Sequence, residues 1–177
     1  MRPIIIGIGG AYSGAGKTTY ASLILKRLKG WGAIKYTKTS LYISITDDIE
    51  ILSEKGKDTR KLLDSGAERV LWVQSPVSEL PDIIQMAAGM LSYLEGILIE
   101  GNSAIKMLKP DFVVFVAGDN KRFKKSAENV LSMADIVIYD KELPAGIPEG
   151  AKLFRTKEKD KCLDFICSFL KECRRSI

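Results

Sequence analysis

The stretch that most limits what this chain can fold into lies near its start. An apolar, β-branched run, Ile4-Ile5-Ile6-Gly7-Ile8, gives way to glycines and then to Ala11-Tyr12-Ser13-Gly14-Ala15-Gly16-Lys17-Thr18. A short buried strand running into a glycine loop that opens a helix fits the pattern GxxxxGK[ST], with Ala11 in place of the first glycine. Gly9 and Gly10 just before it keep the turn flexible. Gly14 and Gly16 carry no side chain, so backbone N–H groups from Ser13 to Gly16, Ala15 included, can curl around a phosphate. The helix that begins at Lys17 aims its positive end at the same anion. The pattern predicts that the Lys17 ammonium reaches the β- and γ-phosphates of a nucleoside triphosphate, that the Thr18 hydroxyl ligates Mg²⁺, and that Thr19 assists at the α-phosphate. The rival dinucleotide fingerprint GxGxxG fails, because Tyr12 stands at the third glycine position after Gly7 and Gly9.

Downstream, strand-like and helix-like segments alternate. Strands are expected at 3–8, 33–38, 69–74, 97–99, 112–116, 136–139 and 152–154. Helices are expected at 17–29, 58–65, 80–94, 122–133 and 159–174. Residues 40–57 mix hydroxyls, acids and glycine and read as a mobile connection with at most one short element. This order predicts an α/β P-loop NTPase fold, a mostly parallel sheet with helices on both faces. The helix at 80–94 carries Ile83, Ile84, Ala87, Ala88, Met90 and Leu91, apolar enough to pack on the sheet or on a second subunit. With no repeat or linker, 1–177 reads as a single nucleotide-binding domain.

Composition narrows the chemistry. The 177 residues are 46% hydrophobic and 28% charged, an ordinary globular balance. No run approaches the ~20 apolar residues of a membrane span, and the start has no signal-peptide layout, so a cytoplasmic protein is expected. There is no histidine, which removes the commonest metal ligand and neutral-pH base. Catalysis must then rest on carboxylates, lysines, hydroxyls or a bound cation. Cys162, Ile166, Phe169, Leu170 and Cys173 share one helical face, so two of the three cysteines read as core residues. The net charge of +5 suits phosphate-bearing ligands. The basic groups Lys121-Arg122-Phe123-Lys124-Lys125 and Arg174-Arg175 lack interleaved aromatics and read as solvated surface and a frayed tail, not as a nucleic-acid patch.

Two acids stand out. Gly96-Ile97-Leu98-Ile99-Glu100-Gly101 is an apolar strand that delivers a carboxylate at its C-terminal end, where ligands sit in open parallel sheets. Glu100 can hold the Mg²⁺ shell or orient a water or an acceptor hydroxyl beside the γ-phosphate. Asn102 and Ser103 follow as polar groups able to contact a second ligand. Asp58, in Gly56-Lys57-Asp58-Thr59, opens a helix and either caps it or reaches Mg²⁺ or the attacking water. Asp47 and Asp48 are weaker candidates of the same kind.

These motifs, in this order, resemble the molybdopterin-guanine dinucleotide biosynthesis protein B (MobB) family within the wider class of P-loop GTPases and ATPases. The likeness rests on Ser13-Gly14-Ala15-Gly16-Lys17-Thr18-Thr19, on Ile34-Lys35, on Gly56-Lys57-Asp58-Thr59 with Ser65-Gly66-Ala67-Glu68-Arg69-Val70, and on Ile97-Leu98-Ile99-Glu100-Gly101. It spans about the first hundred residues. The resemblance implies GTP binding with Mg²⁺, slow hydrolysis, homodimers, and a supporting role beside a nucleotidyltransferase when a nucleotide is joined to molybdopterin. By position, Lys17, Asp58 and Glu100 would serve the triphosphate, and Thr18, Asp58 and Glu100 the metal. The family places histidine after the Ile-Lys pair and again soon after, where this chain has Tyr36 and Lys38. GTPases of this class read guanine with Asn-Lys-x-Asp. Here Asp140-Lys141-Glu142-Leu143 stands at that place, making Asp140 and Lys141 the base-contact candidates.

The same clamp serves a small-molecule kinase or ATPase that passes the γ-phosphate to an acceptor near Asn102, Ser103 and residues 40–46. It also serves a switch that binds nucleotide to present a surface.

Overall fold

The computed structural model describes residues 2–119 and 123–175. Eight strands form one sheet: β1 (Ile4–Gly10), β2 (Trp31–Lys38), β3 (Ser44–Thr46), β4 (Val70–Ser75), β5 (Gly96–Glu100), β6 (Phe112–Gly118), β7 (Ile136–Tyr139) and β8 (Lys152–Arg155). Their spatial order is β3-β4-β2-β5-β1-β6-β7-β8. Every pairing is parallel except β3 on β4. The helices are α1 (Lys17–Leu25), α2 (Ile49–Leu52), α3 (Asp58–Asp64), α4 (Leu80–Met90), α5 (Asn102–Leu108), α6 (Lys125–Leu131) and α7 (Lys159–Arg175).

Side chains of successive residues in a strand point to opposite faces, and each face builds its own core. On one, Ile4, Ile6 and Ile8 of β1 and Val114 and Val116 of β6 pack with Tyr20, Ile24 and Leu25 of α1, Leu62 of α3, and Cys162, Ile166 and Leu170 of α7. On the other, Ile34, Leu71, Val73, Ile97, Ile99 and Phe115 meet Leu80, Ile84 and Ala87 of α4, Ile105 of α5 and Val130 of α6. Helices therefore cover both faces, as expected. Gly7 and Gly9 of β1 face the second layer because α5 and α6 come close there. A Cβ on Gly7 would lie 2.9 Å from Pro110, and one on Gly9 2.5 Å from Val130.

Several expectations are corrected. The helix expected at 17–29 stops at Leu25, and that expected at 80–94 at Met90. Arg122, the expected start of the helix at 122–133, lies outside the described residues, as do Lys121 and Asn120; the corresponding α6 begins at Lys125. α7 runs through Arg175, so the backbone there is helical and not a frayed tail. The connection 40–57 contains both β3 and α2. α5 was not anticipated; Gly101 opens it with φ 142. Within this chain α4 buries Leu80, Ile84 and Ala87 between the sheet and α5, which assigns its apolar face to the sheet. Cys162 is buried, and burial pushes its thiol up to about 12. Among the described residues no helix is long and apolar enough to cross a membrane.

Candidate functional site

All seven parallel strands end on one edge, and the glycine loop hangs from the central one, β1. Ala11 is fully buried, and its N–H donates to the Val116 carbonyl at 3.0 Å. Its methyl packs into the second core, so alanine fills a pocket at this first loop position without facing the cavity. Gly14 (φ 91) and Gly16 (φ 102) both take left-handed backbone. A Cβ on Gly14 would meet nothing within 4 Å, so conformation and not crowding calls for glycine there. Gly16 is the N-cap of α1 and forms no side-chain cap, which leaves the first-turn amides of the helix directed into the space above the loop. Gly10 is held differently. Its N–H donates to Asn102 Oδ1 at 3.0 Å, and its carbonyl accepts from Asn102 Nδ2 at 2.9 Å. Asn102, expected to contact a second ligand, clasps the tip of β1 to the start of α5 and also lines the cavity that the loop borders.

The loop borders a cavity of about 660 Å³. Ser13, Gly14, Gly16, Lys17, Thr18 and Thr19 line one wall, and Asp58, Glu100 and Ser103 another. The structure thus brings Lys17, Asp58 and Glu100, drawn from three separate segments, into one space. Ala15 belongs to the loop but is not among the residues lining the cavity; it packs against the first core. The Lys17 ammonium folds back to donate to the Tyr12 carbonyl at 2.8 Å. Burial lowers its pKa; Lys35 and Lys124 push the same way, against Glu100 and Asp58. The Thr18 hydroxyl donates to the Glu100 carboxylate, 2.9 and 3.0 Å from its two oxygens.

Glu100 is 1% exposed, and its charge is balanced by a residue to which the sequence reading gave no role. In the parallel register of β2 on β5, Lys35 lies opposite Glu100, so both side chains leave the sheet on the same face. Lys35 Nζ donates to Glu100 Oε1 and, at 2.9 Å, to Asp58 Oδ2. Burial works against the Lys35 charge, but Glu100 and Asp58 outweigh it and hold its pKa above the ordinary lysine value. Asp58 in turn takes Lys61 Nζ at 3.2 Å. Burial would raise the Asp58 pKa, yet Lys35 and Lys61 hold it below the usual carboxylate value. Asp58 is not a helix cap: Lys57 holds that position, and Asp58 is the first helical residue. Asp47 pairs with Arg69, and Asp48 caps α2 by accepting from Glu50 N–H at 2.9 Å, so both are engaged elsewhere.

Lys35, Lys61 and Lys124 are among the site residues that sequence reasoning missed. Lys124, read as solvated surface, lines the cavity beside Ser126. For Lys35 a signal existed: it is the one charge in the otherwise apolar run Trp31-Gly32-Ala33-Ile34-Lys35-Tyr36. Asp140 and Lys141, the base-contact candidates, do not line this cavity. They border a separate hollow with Arg155, Thr156 and Lys157, where Thr156 Oγ1 donates to Asp140 Oδ1 at 3.2 Å.

A hydroxyl and two carboxylates are the hard oxygen donors that Mg²⁺ takes when it also holds substrate phosphates, so the donor chemistry of Thr18, Glu100 and Asp58 fits that ion. Among the described residues no group of three or more acidic or thiol side chains is placed to bind a metal without a phosphate.

No protein-family profile matches the chain. No curated protein matches it in sequence. Among solved structures it is similar to HypB from Helicobacter pylori, a structure in complex with nickel, at 16% identity and TM-score 0.57 over 98% of this chain and 88% of that one. It is also similar to a plasmid partition protein from Borrelia burgdorferi, at 14% identity and TM-score 0.51 over 94% of this chain and 99% of that one. MobB from Bacillus subtilis aligns over 94% of this chain and 96% of its own at 18% identity, with TM-score 0.42, too loose a superposition to carry an argument. At these identities the likeness concerns the fold. The chain has an α/β P-loop NTPase fold.

Proposed function

We propose that this protein binds a nucleoside triphosphate through the loop from Ala11 to Thr18 and hydrolyses it slowly with Mg²⁺. One observation carries the reading: Gly14 and Gly16 hold the left-handed backbone that opens α1, and Lys17, Thr18 and the Glu100 carboxylate meet at the rim of the same cavity. In that reading the loop amides and Lys17 bind the phosphates, and Thr18, Glu100 and Asp58 hold the metal, which screens phosphate charge. In the same reading Glu100, and Asp58 from α3, also orient a water at the terminal phosphate.

The resemblance of the Gly56-Lys57-Asp58-Thr59 and Ser65-Gly66-Ala67-Glu68 segments extends the reading to GTP, to a homodimer, and to a supporting role in attaching a nucleotide to molybdopterin beside a nucleotidyltransferase. The hollow at Asp140 and Lys141 is then where the guanine is read. A second reading, a small-molecule kinase, draws on Lys38, Lys61, Lys124 and Ser103, which extend the same cavity beyond the loop and suit an anionic acceptor.

Calorimetric titration of GTP and ATP into the wild type and Lys17→Ala tests the shared core. Hydrogen bonds to charged groups are worth about 1.5–3 kcal/mol, so the substitution should weaken binding by roughly 10- to 150-fold. Equal affinities for the two proteins would remove the loop from the function. Tighter binding of ATP than GTP would retire the guanine assignment, and rapid phosphate transfer with negligible hydrolysis in the absence of an acceptor would favour the kinase.

A further inference from the structure

The position between two carboxylates and a threonine hydroxyl beside a phosphate loop is where a divalent ion would be sought, and here a protein ammonium reaches into it. Lys35 Nζ contacts Glu100 Oε1 and Asp58 Oδ2 together, while the other Asp58 oxygen takes Lys61. The Glu100 carboxylate also accepts the Thr18 hydroxyl. Two carboxylates thus face two ammonium groups, with Lys17 a third nearby cation whose pKa they influence. A bare divalent ion entering this pocket meets no net negative charge, and must evict a buried ammonium from its two partners. A triphosphate changes both terms. It brings several negative charges to the loop, and it offers Lys35 phosphate oxygens as new partners. The lysine stem is long and flexible enough to swing its head group without any backbone movement.

We propose that Lys35 is a tethered cation that holds the divalent-metal position closed until a triphosphate occupies the loop, so that metal binding requires nucleotide. The proposal rests on the functional reading above for the identity of the anion, but its first half concerns the nucleotide-free protein alone. It differs from a purely structural ion pair, which would be indifferent to metal. It also assigns the three-way contact a direction: the metal replaces the ammonium at Glu100 and Asp58, and the ammonium moves to the phosphates.

The test uses Mn²⁺ as the probe, with the free ion counted by its electron paramagnetic resonance signal. The full chain is titrated without nucleotide and with a non-hydrolysable GTP analogue, as wild type, Lys35→Met and Lys35→Arg. Wild type should bind Mn²⁺ at least about tenfold more weakly without nucleotide than with it, and Lys35→Met should recover about tenfold or more in nucleotide-free affinity, with Lys35→Arg staying close to wild type. Equal wild-type affinities in the two conditions, or no gain in Lys35→Met, would overturn the proposal. If Lys35→Met does not fold, Lys35→Gln takes its place in the nucleotide-free titration, because phosphate oxygens bind Mn²⁺ themselves and the wild-type difference alone does not isolate Lys35. Calorimetry of the analogue in chelator separates the two failures. No nucleotide binding would remove the functional reading, while the nucleotide-free arms still report whether Lys35 keeps the metal out; nucleotide binding with no effect of Lys35 would remove only this inference.

Discussion

Glu100→Gln offers a test of how much the ion cluster contributes to the folded state. Glutamine keeps the shape and an oxygen for Thr18, but takes the charge away from Lys35, whose side chain is 16% exposed against 1% for Glu100. Removing one partner of a fully buried pair costs about 3–5 kcal/mol, because the remaining charge is stranded. Here Lys35 keeps Asp58 and some water, which lowers the expected loss to about 2 kcal/mol. With a urea dependence of about 2 kcal/mol per molar for a domain of this class, the unfolding midpoint should fall by about 1 M. Combining Glu100→Gln with Lys35→Met should cost less than the two single losses added together, since the stranded ammonium is then gone. Urea titrations followed by circular dichroism at neutral pH measure all four corners of the cycle. A shift below about 0.3 M, or strict additivity, would mean that the two residues lie beside each other without mutual stabilisation, and the argument from burial would be wrong.

Two further outcomes concern the core. Burial pushes Tyr20 and Cys162 each up to about 12, so folding favours their protonated forms. The unfolded phenol and thiol give up their protons earlier, so stability is full below about pH 9 and falls between about pH 9 and 12. The urea midpoint across that range should drop in wild type and drop less in Cys162→Ala; identical slopes would contradict the assignment. At the other end of the sheet, a Cβ on Gly96 would lie 2.4 Å from the buried Trp31 ring. Gly96→Ala should therefore cost about 2 kcal/mol and lower the melting temperature by about 4–8 °C. Gly89→Ala, where nothing lies within 4 Å, should leave it unchanged or higher, and calorimetric melting distinguishes the two.

The elements that sequence reading found share a local cause. The loop could be read because glycines at 14 and 16 are required by their own backbone conformation, and β1, β4 and β6 because apolar runs of strand length are visible without partners. What escaped notice depended on distant neighbours. β3 is three residues long and exists as a strand by pairing with β4. α5, at seven residues, is too short for a helical period to emerge. The bond from Asn102 to Gly10 spans 92 positions, so its part in fastening the loop has no local signal. Lys35 and Glu100 are 65 positions apart, and only the register of β2 on β5 brings them to the same height. The helix starting at Asp58 was anticipated, but the direction of its carboxylate was set by Lys35 and Lys61 and not by the helix terminus.

The end of β5 acts as a three-residue ruler. Glu100 reaches toward the strand on one side, to Lys35 of β2, and Asn102 reaches toward the strand on the other, to Gly10 of β1. Gly101 between them, at φ 142, lies with its Cβ direction only 3.0 Å from Tyr36. Insertions within residues 40–57 would lengthen a peripheral excursion and leave this spacing intact. One residue added between Ile99 and Asn102 would turn the carboxylate into the opposite helical layer or unfasten the glycine loop, and either way the two halves of the cavity would part company.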